Sequence, residues 1–188
     1  MRPRVVAEYV LVAACAVAVA VLLQAFVVKP YRIPSESMLD TLRPGDRVLV
    51  NRAVYHLREP HRGDVVVFRY PHDPSVVFIK RIVGVPGDVL EVRDGRLYVN
   101  GERSGEPYVH RTAGQMDPTV AQAAIAGSTL HDPWSLAEPY RVPDGEYFVM
   151  GDNRTDSGDS RDWGTVPRTA IVGEGLATYW PLSRLRAL

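Results

Sequence analysis

The hydrophobic pattern changes period once, near residue 28. Val10 to Val28 is nineteen residues with no charge and one amide, Gln24, and extending back to Val5 adds only Glu8. A helix of that length spans a bilayer core, which predicts a transmembrane helix over 9–28 between a short cytoplasmic N-terminus, 1–8, and a domain over 29–188 on the outer face. A cleavable secretory signal would have a shorter apolar region ending in a small-x-small site. This run continues into Val27-Val28-Lys29-Pro30, so a retained, single-pass anchor is expected. Arg2 and Arg4 precede the span and Lys29 and Arg32 follow it, which favours an inside N-terminus by a narrow margin.

From Arg43 onward the pattern is that of short strands. Turn chemistry introduces a β-rich run three times: Arg43-Pro44-Gly45-Asp46 before Arg47 to Val50, Val85-Pro86-Gly87-Asp88 before Val89 to Val92, and Val142-Pro143-Asp144-Gly145 before Glu146 to Val149. Pro followed by Gly suits a type II turn, whose third residue needs a positive φ. Asp64–Tyr70, Val76–Val83 and Gly173–Trp180 read as further strands, and Arg96–Val99 runs into an Asn100-Gly101 hairpin signal. Only Val120–Ala126 carries any helical period beyond the anchor. The expected fold is mainly β. Between Glu106 and Arg141 the regularity stops, and a variable insertion or flap is expected there.

Composition removes several function classes. With 22 basic and 22 acidic residues the formal net charge is zero, so there is no bulk electrostatic case for nucleic acid. No zinc-type Cys/His spacing or His-Glu-x-x-His occurs, so no metal or other cofactor is expected. The one cysteine, Cys15, lies in the apolar run and allows no intrachain disulfide. The five histidines are scattered and read as surface or satisfied polar residues.

Three stretches carry candidate chemistry. Pro34-Ser35-Glu36-Ser37-Met38 follows the anchor closely and, if extended, aims Ser35 and Ser37 at one spot, as a nucleophile and a donor to its intermediate require. The plainer reading is a serine-containing linker. A serine nucleophile needs a base, and no histidine stands in a catalytic context. Lysine is the alternative, and of the 22 basic residues only Lys29 and Lys80 are lysine. Lys29 flanks the anchor; Lys80 lies within a strand, on the face of Phe78 and Ile82. An exposed lysine near pKa ~10.4 is neutral roughly once in a thousand molecules at pH ~7.4, but burial can lower that value, whereas arginine keeps its proton. Against this stands a strand lysine that snorkels its amine to solvent. The third stretch, Met150 to Arg161, carries more hydrogen-bonding groups than a turn requires, though it could be a solvated loop.

Pro-Ser-x-Ser-Met after a membrane span, Phe78-Ile79-Lys80-Arg81-Ile82-Val83-Gly84-Val85-Pro86-Gly87-Asp88, and Gly151-Asp152-Asn153-Arg154 leading to Ser157, Asp159, Ser160 and Arg161 together resemble the bacterial type I signal peptidases of the S26 serine peptidase family. The resemblance covers nearly all of the chain except 106–141. It implies a mostly antiparallel β catalytic domain on the outer face of the plasma membrane, acting as a monomer on secretory preproteins and cutting after small-x-small sites such as Ala-x-Ala.

Position by position, it implies Ser37 as nucleophile, Lys80 as general base, Ser35 in the oxyanion hole and Ser157 as the residue that orients the lysine. Asp152, Asp159 and Arg161 would support them. Tyr31, Ile33, Met38, Leu42, Phe78 and Ile79 would line the substrate pockets. Glu36 departs from the glycine form of the motif, and strand alternation would turn it away from the site. A membrane-tethered β module that binds without cutting, or a relative maturing one dedicated partner, are the competing readings.

Overall fold

The computed structural model describes residues 3–111, 114–119 and 135–188; side chains in the N-terminal helix are described for residues 8–19. That helix, α1, covers Pro3–Phe26 and is followed by strands β1 (Val28–Arg32), β2 (Arg47–Asn51), β3 (Val65–Tyr70), β4 (Asp73–Gly84), β5 (Val89–Arg93), β6 (Arg96–Val99) and β7 (Glu102–Arg103). Then come β8 (Tyr140–Arg141), β9 (Glu146–Met150), the four-residue helix α2 (Ser160–Trp163), β10 (Val166–Pro167), β11 (Ile171–Trp180) and β12 (Arg186–Ala187). The expected strands are present, mostly with longer ends.

All pairings between these strands are antiparallel. The larger sheet runs β1-β2-β11-β3-β4-β9-β10, with β12 added to β11, and the smaller runs β7-β6-β5-β8. Turn residues do what their chemistry allows: Gly45 and Gly87 sit at φ 91° and 86°, conformations that a side chain would strain. The Asn100-Gly101 hairpin likewise has both residues at positive φ.

Three apolar clusters hold the domain. One, around Val66, Phe68, Ile82, Val149 and Trp163, fills one face of the larger sheet. A second packs Val83, Leu90, Leu97, Phe148 and Leu136 between the sheets. The third joins Ile33, Met38 and Leu42 to Val48, Val50, Val65 and Val67, so the stretch after β1 is pinned down by its own apolar residues.

Two sequence expectations change. The predicted span to residue 28 ends as a helix at Phe26, because Val28 already pairs with Asn51 as the first residue of β1. Among the described residues, no helix is long and apolar enough to cross a membrane. The segment from Ser35 to Leu42 is not an alternating strand. It bends and turns, with Leu39 N–H donating to Glu36 O at 3.0 Å and Leu42 N–H to Met38 O at 2.7 Å.

The expected insertion is also partly built in. Tyr140–Arg141 pairs with β5, and Leu136 is buried under it, accepting from Val92 N–H at 2.8 Å. The helical period at Val120–Ala126 lies outside the described residues.

Candidate active site

Antiparallel pairing brings Lys80 of β4 opposite Val66 of β3 and leaves it 4% exposed. Its Nζ donates to Ser37 Oγ at 2.6 Å, and both groups are buried. Burial pushes the Lys80 ammonium down to about 8; Asp159 opposes this most, Arg161 adds to it, and Asp152 and Asp156 oppose it further. A lysine held there is neutral in a substantial fraction of molecules near neutral pH.

Ser35 Oγ lies 3.3 Å from Ser37 Oγ. The two hydroxyls converge because the chain bends between them, not because a strand alternates. Among the described residues, the Ser37 N–H has no acceptor, so it is available to an anionic oxygen. Glu36 is exposed and sits on the rim of the cleft instead of on an opposite face.

The turn carrying Ser37 is clamped from the far side by the loop after β9. Asn153 N–H donates to Ser37 O at 3.1 Å, and Asn153 Nδ2 to Glu36 O at 3.3 Å. Behind that loop lie three ionic groupings. Arg81 grips Asp152 through Nε at 2.9 Å and Nη2 at 2.7 Å, while Thr41 Oγ1 donates to the same carboxylate. Arg161 grips Asp159 through Nε at 2.8 Å and Nη2 at 2.7 Å, both fully buried. Asp159 also accepts from Gly151 N–H at 3.0 Å and caps α2. Burial alone would raise the Asp159 carboxyl, but Arg161 above all, with Lys80 and the Gly151 N–H, holds it below its ordinary value.

The third grouping is not visible in the sequence motifs. Arg154, 1% exposed, binds Glu106 through both terminal nitrogens and Asp117 at 3.3 Å, and Arg111 joins both acids. The start of the expected insertion is therefore sewn to the loop that clamps the Ser37 turn. Removing one partner from a buried ion pair leaves the other charge uncompensated, at about 3–5 kcal/mol. Glu106→Ala is expected to lower the melting temperature by roughly 10 °C at 2–4 °C per kcal/mol. A thermal melt unchanged within a degree or two would show that Arg154 is satisfied otherwise.

A cleft of about 260 Å³ opens beside this pair. Tyr31, Ile33, Phe78 and Ile79 line it, along with Val67 and Val77. Phe78 is fixed by stacking on Trp163, with centroids 5.5 Å apart and planes 13° from parallel. Met38 and Leu42, expected in the pockets, instead lie beneath in the third apolar cluster, because the turn points them inward. Ser157 also differs from expectation. Its hydroxyl donates to Gly158 O at 3.4 Å, and no hydrogen bond links it to the Lys80 amine. Val77 and Val67 were missed, although strand alternation from Ile79 would have found Val77. Nothing in the sequence pointed to Glu106 or Asp117. No cluster of His, Cys, Asp or Glu suited to a metal ion occurs among the described residues.

A buried lysine aimed at a serine, at the end of an apolar cleft on an antiparallel β domain, is an arrangement that can serve a serine hydrolase without histidine. The chain belongs to the S26 family: the family described as "Signal peptidase, peptidase S26" matches residues 6–180. Signal peptidase I of Pseudomonas fluorescens is 38% identical over 90% of this chain and 72% of its own length. Probable signal peptidase I-1 of Synechocystis is 38% identical over 90% and 80%, and signal peptidase I T of Bacillus subtilis 34% over 91% and 83%. A crystal structure of a signal peptidase I from Enterococcus faecalis, 29% identical, covers 62% of this chain and 97% of its own at a TM-score of 0.48. Membership makes this chain a serine endopeptidase, a hydrolase of the signal peptidase I kind.

Proposed function

We propose that the protein is a membrane-bound endopeptidase that removes signal peptides from secretory preproteins with Ser37 as nucleophile and Lys80 as general base. The observation that carries this reading is the 2.6 Å contact between Lys80 Nζ and Ser37 Oγ in a site that lowers the lysine toward neutrality. Neutral Lys80 takes the Ser37 proton as Oγ attacks the scissile carbonyl. The Ser37 N–H and the Ser35 hydroxyl hold the oxyanion, and the protonated lysine then supplies the leaving amine with its proton. Water, deprotonated by Lys80, releases the acyl group and restores Ser37. Asp152, Asp159 and Arg161 act as the rigid backing. The proton path runs between Ser37 and Lys80, with Ser157 Oγ 3.4 Å from Gly158 O.

Over Asp73–Lys80, β4 pairs with β3 on one side, while β9 takes its other side only from Arg81 onward. An extended substrate fits that open edge as an added strand, with alternate side chains entering the cleft. The cleft's bulky apolar lining, with Tyr31, Phe78 and Ile79, suits a small-x-small site such as Ala-x-Ala. For the anchor, α1 has 24 residues, or roughly 36 Å of helix, and each described side chain from Glu8 to Val19 is exposed. An apolar helix whose described side chains are all exposed is suited to lipid. The positive-inside bias then favours an outer-face domain, and a monomer is the state we assign to it.

The direct test is incubation of the detergent-solubilised full chain with an Ala-x-Ala preprotein, with cleavage at that site expected and no cleavage by Ser37→Ala. The pH dependence follows from the lysine. Its neutral form is the active one, so kcat/KM should rise about tenfold per pH unit below about 8 and level off above. A flat profile between pH ~6 and ~9 would remove Lys80 as the base.

A further inference from the structure

Away from the cleft, a cavity of about 270 Å³ opens where the ends of β2, β3 and β11 meet, and its walls carry Arg52, His56, Arg69 and Arg168 with no acidic residue. Strand β11 lies between β2 and β3, so Arg52 just past β2 and Arg69 in β3 stand on strands roughly 10 Å apart, a gap that two long side chains can close on one small anion. Gly173 permits the approach on one side, since a Cβ there would fall 2.4 Å from Asn51 O and 3.0 Å from Arg52 Cα.

Arg168 is held in place. Its Nε donates to Glu59 at 2.8 Å and its Nη2 to the Tyr55 carbonyl, and its guanidinium lies 5.6 Å from the centre of the Tyr55 ring. Glu59 offsets that one charge. Arg52 and Arg69 are exposed and form no ion pair among the described residues.

The cavity's position names the ligand. Arg52 N–H donates to Val27 O at 2.8 Å, one residue beyond the end of α1. If α1 is the membrane anchor, as proposed above, Arg52 stands where the chain leaves the bilayer, at the depth of lipid phosphates. Guanidinium forks match phosphate oxygens in pairs. We propose that this cavity binds the phosphodiester headgroup of an anionic phospholipid. Arg69 is the register partner of Val77, which lines the catalytic cleft. A lipid held here sets the cleft's height above the leaflet from one strand away.

The test uses the full chain in neutral detergent, with native mass spectrometry reading retained lipid. Wild type is expected to hold phosphatidylglycerol at least tenfold more tightly than phosphatidylcholine. Arg52→Gln/Arg69→Gln should lose that preference while cleaving an Ala-x-Ala preprotein in detergent within about twofold of wild type. Equal retention by wild type and the double variant overturns the proposal. Millimolar inorganic phosphate that displaces the lipid and alone raises the melting temperature as much would assign the site to free phosphate, and equal competition by an acidic peptide would assign it to a protein; either overturns the lipid assignment. Flotation of the full chain on phosphatidylcholine vesicles tests the anchor separately. A chain that floats yet shows no arginine-dependent lipid retention refutes only this inference, and one that fails to float refutes the anchor reading.

Discussion

Lys80→Arg is expected to abolish preprotein cleavage. Arginine preserves the charge and most of the reach, and 20 other positions show that this chain accommodates it readily. It cannot release its proton at any working pH, so a base at Ser37 Oγ disappears. General base catalysis is worth about 10²–10⁴-fold, and a fixed cation in a buried site should add to the damage. Loss should match that of Ser37→Ala, and the two changes together should cost little more than either alone, because in the proposed mechanism the pair works as a unit. Since arginine is larger than the space that lysine occupies, Lys80→Met separates chemistry from packing. Methionine fills similar volume without the charge, so it should be equally inactive yet more stable.

The sign follows from linkage. The folded lysine titrates at about 8 and the free one near 10.5, so the unfolded chain holds more protons between those values and wild-type stability rises across that window. Below pH 8 the penalty is complete, about 3 kcal/mol. Lys80→Met should therefore gain most at pH ~7 and little near pH ~10.5, read from urea unfolding at each pH. Substantial cleavage by Lys80→Arg would overturn the serine–lysine mechanism.

What the sequence revealed and what it hid divide along one line. Strand positions were legible because turn residues announce them: Pro44-Gly45 and Pro86-Gly87 demand backbone angles that few other pairs adopt. Lys80 was legible because lysine is rare in this chain and stands among apolar neighbours. The fine direction of side chains was not. The spacing of Ser35 and Ser37 suited an extended Pro34–Met38, yet local hydrogen bonds from Leu39 and Leu42 turn the chain, and that sends Met38 and Leu42 into the core. Long-range charge pairing was equally hidden. Arg154 meets Glu106 and Asp117 across 48 and 37 residues of chain, and nothing in the local pattern of any of the three selects the other two. The ionic grouping ties a stretch that reads as irregular to the most recognisable motif in the chain.

The same clamp makes one glycine decisive. Gly151 follows β9 directly, and a Cβ built on it would lie 2.3 Å from Ser157 Oγ and 2.4 Å from the carbonyl oxygen of Ser37. The first contact could be relieved by turning a side chain. The second is backbone, and that backbone is tied to Asn153 N–H at 3.1 Å while Gly151 N–H is itself tied to buried Asp159. One side must move, and the Ser37 turn is the less constrained by sheet pairing. Gly151→Ala should therefore displace Ser37 from Lys80. Overpacking of this kind costs about 1–3 kcal/mol in stability, and a shift near 1 Å costs on the order of 10²-fold in rate. We expect kcat/KM to fall at least about 100-fold while the chain still folds, with the loss in kcat. Gly105→Ala is the control, because a Cβ there meets nothing within 4 Å and should change neither quantity. Wild-type turnover by Gly151→Ala would mean that the loop after β9 does not hold Ser37 in register with Lys80.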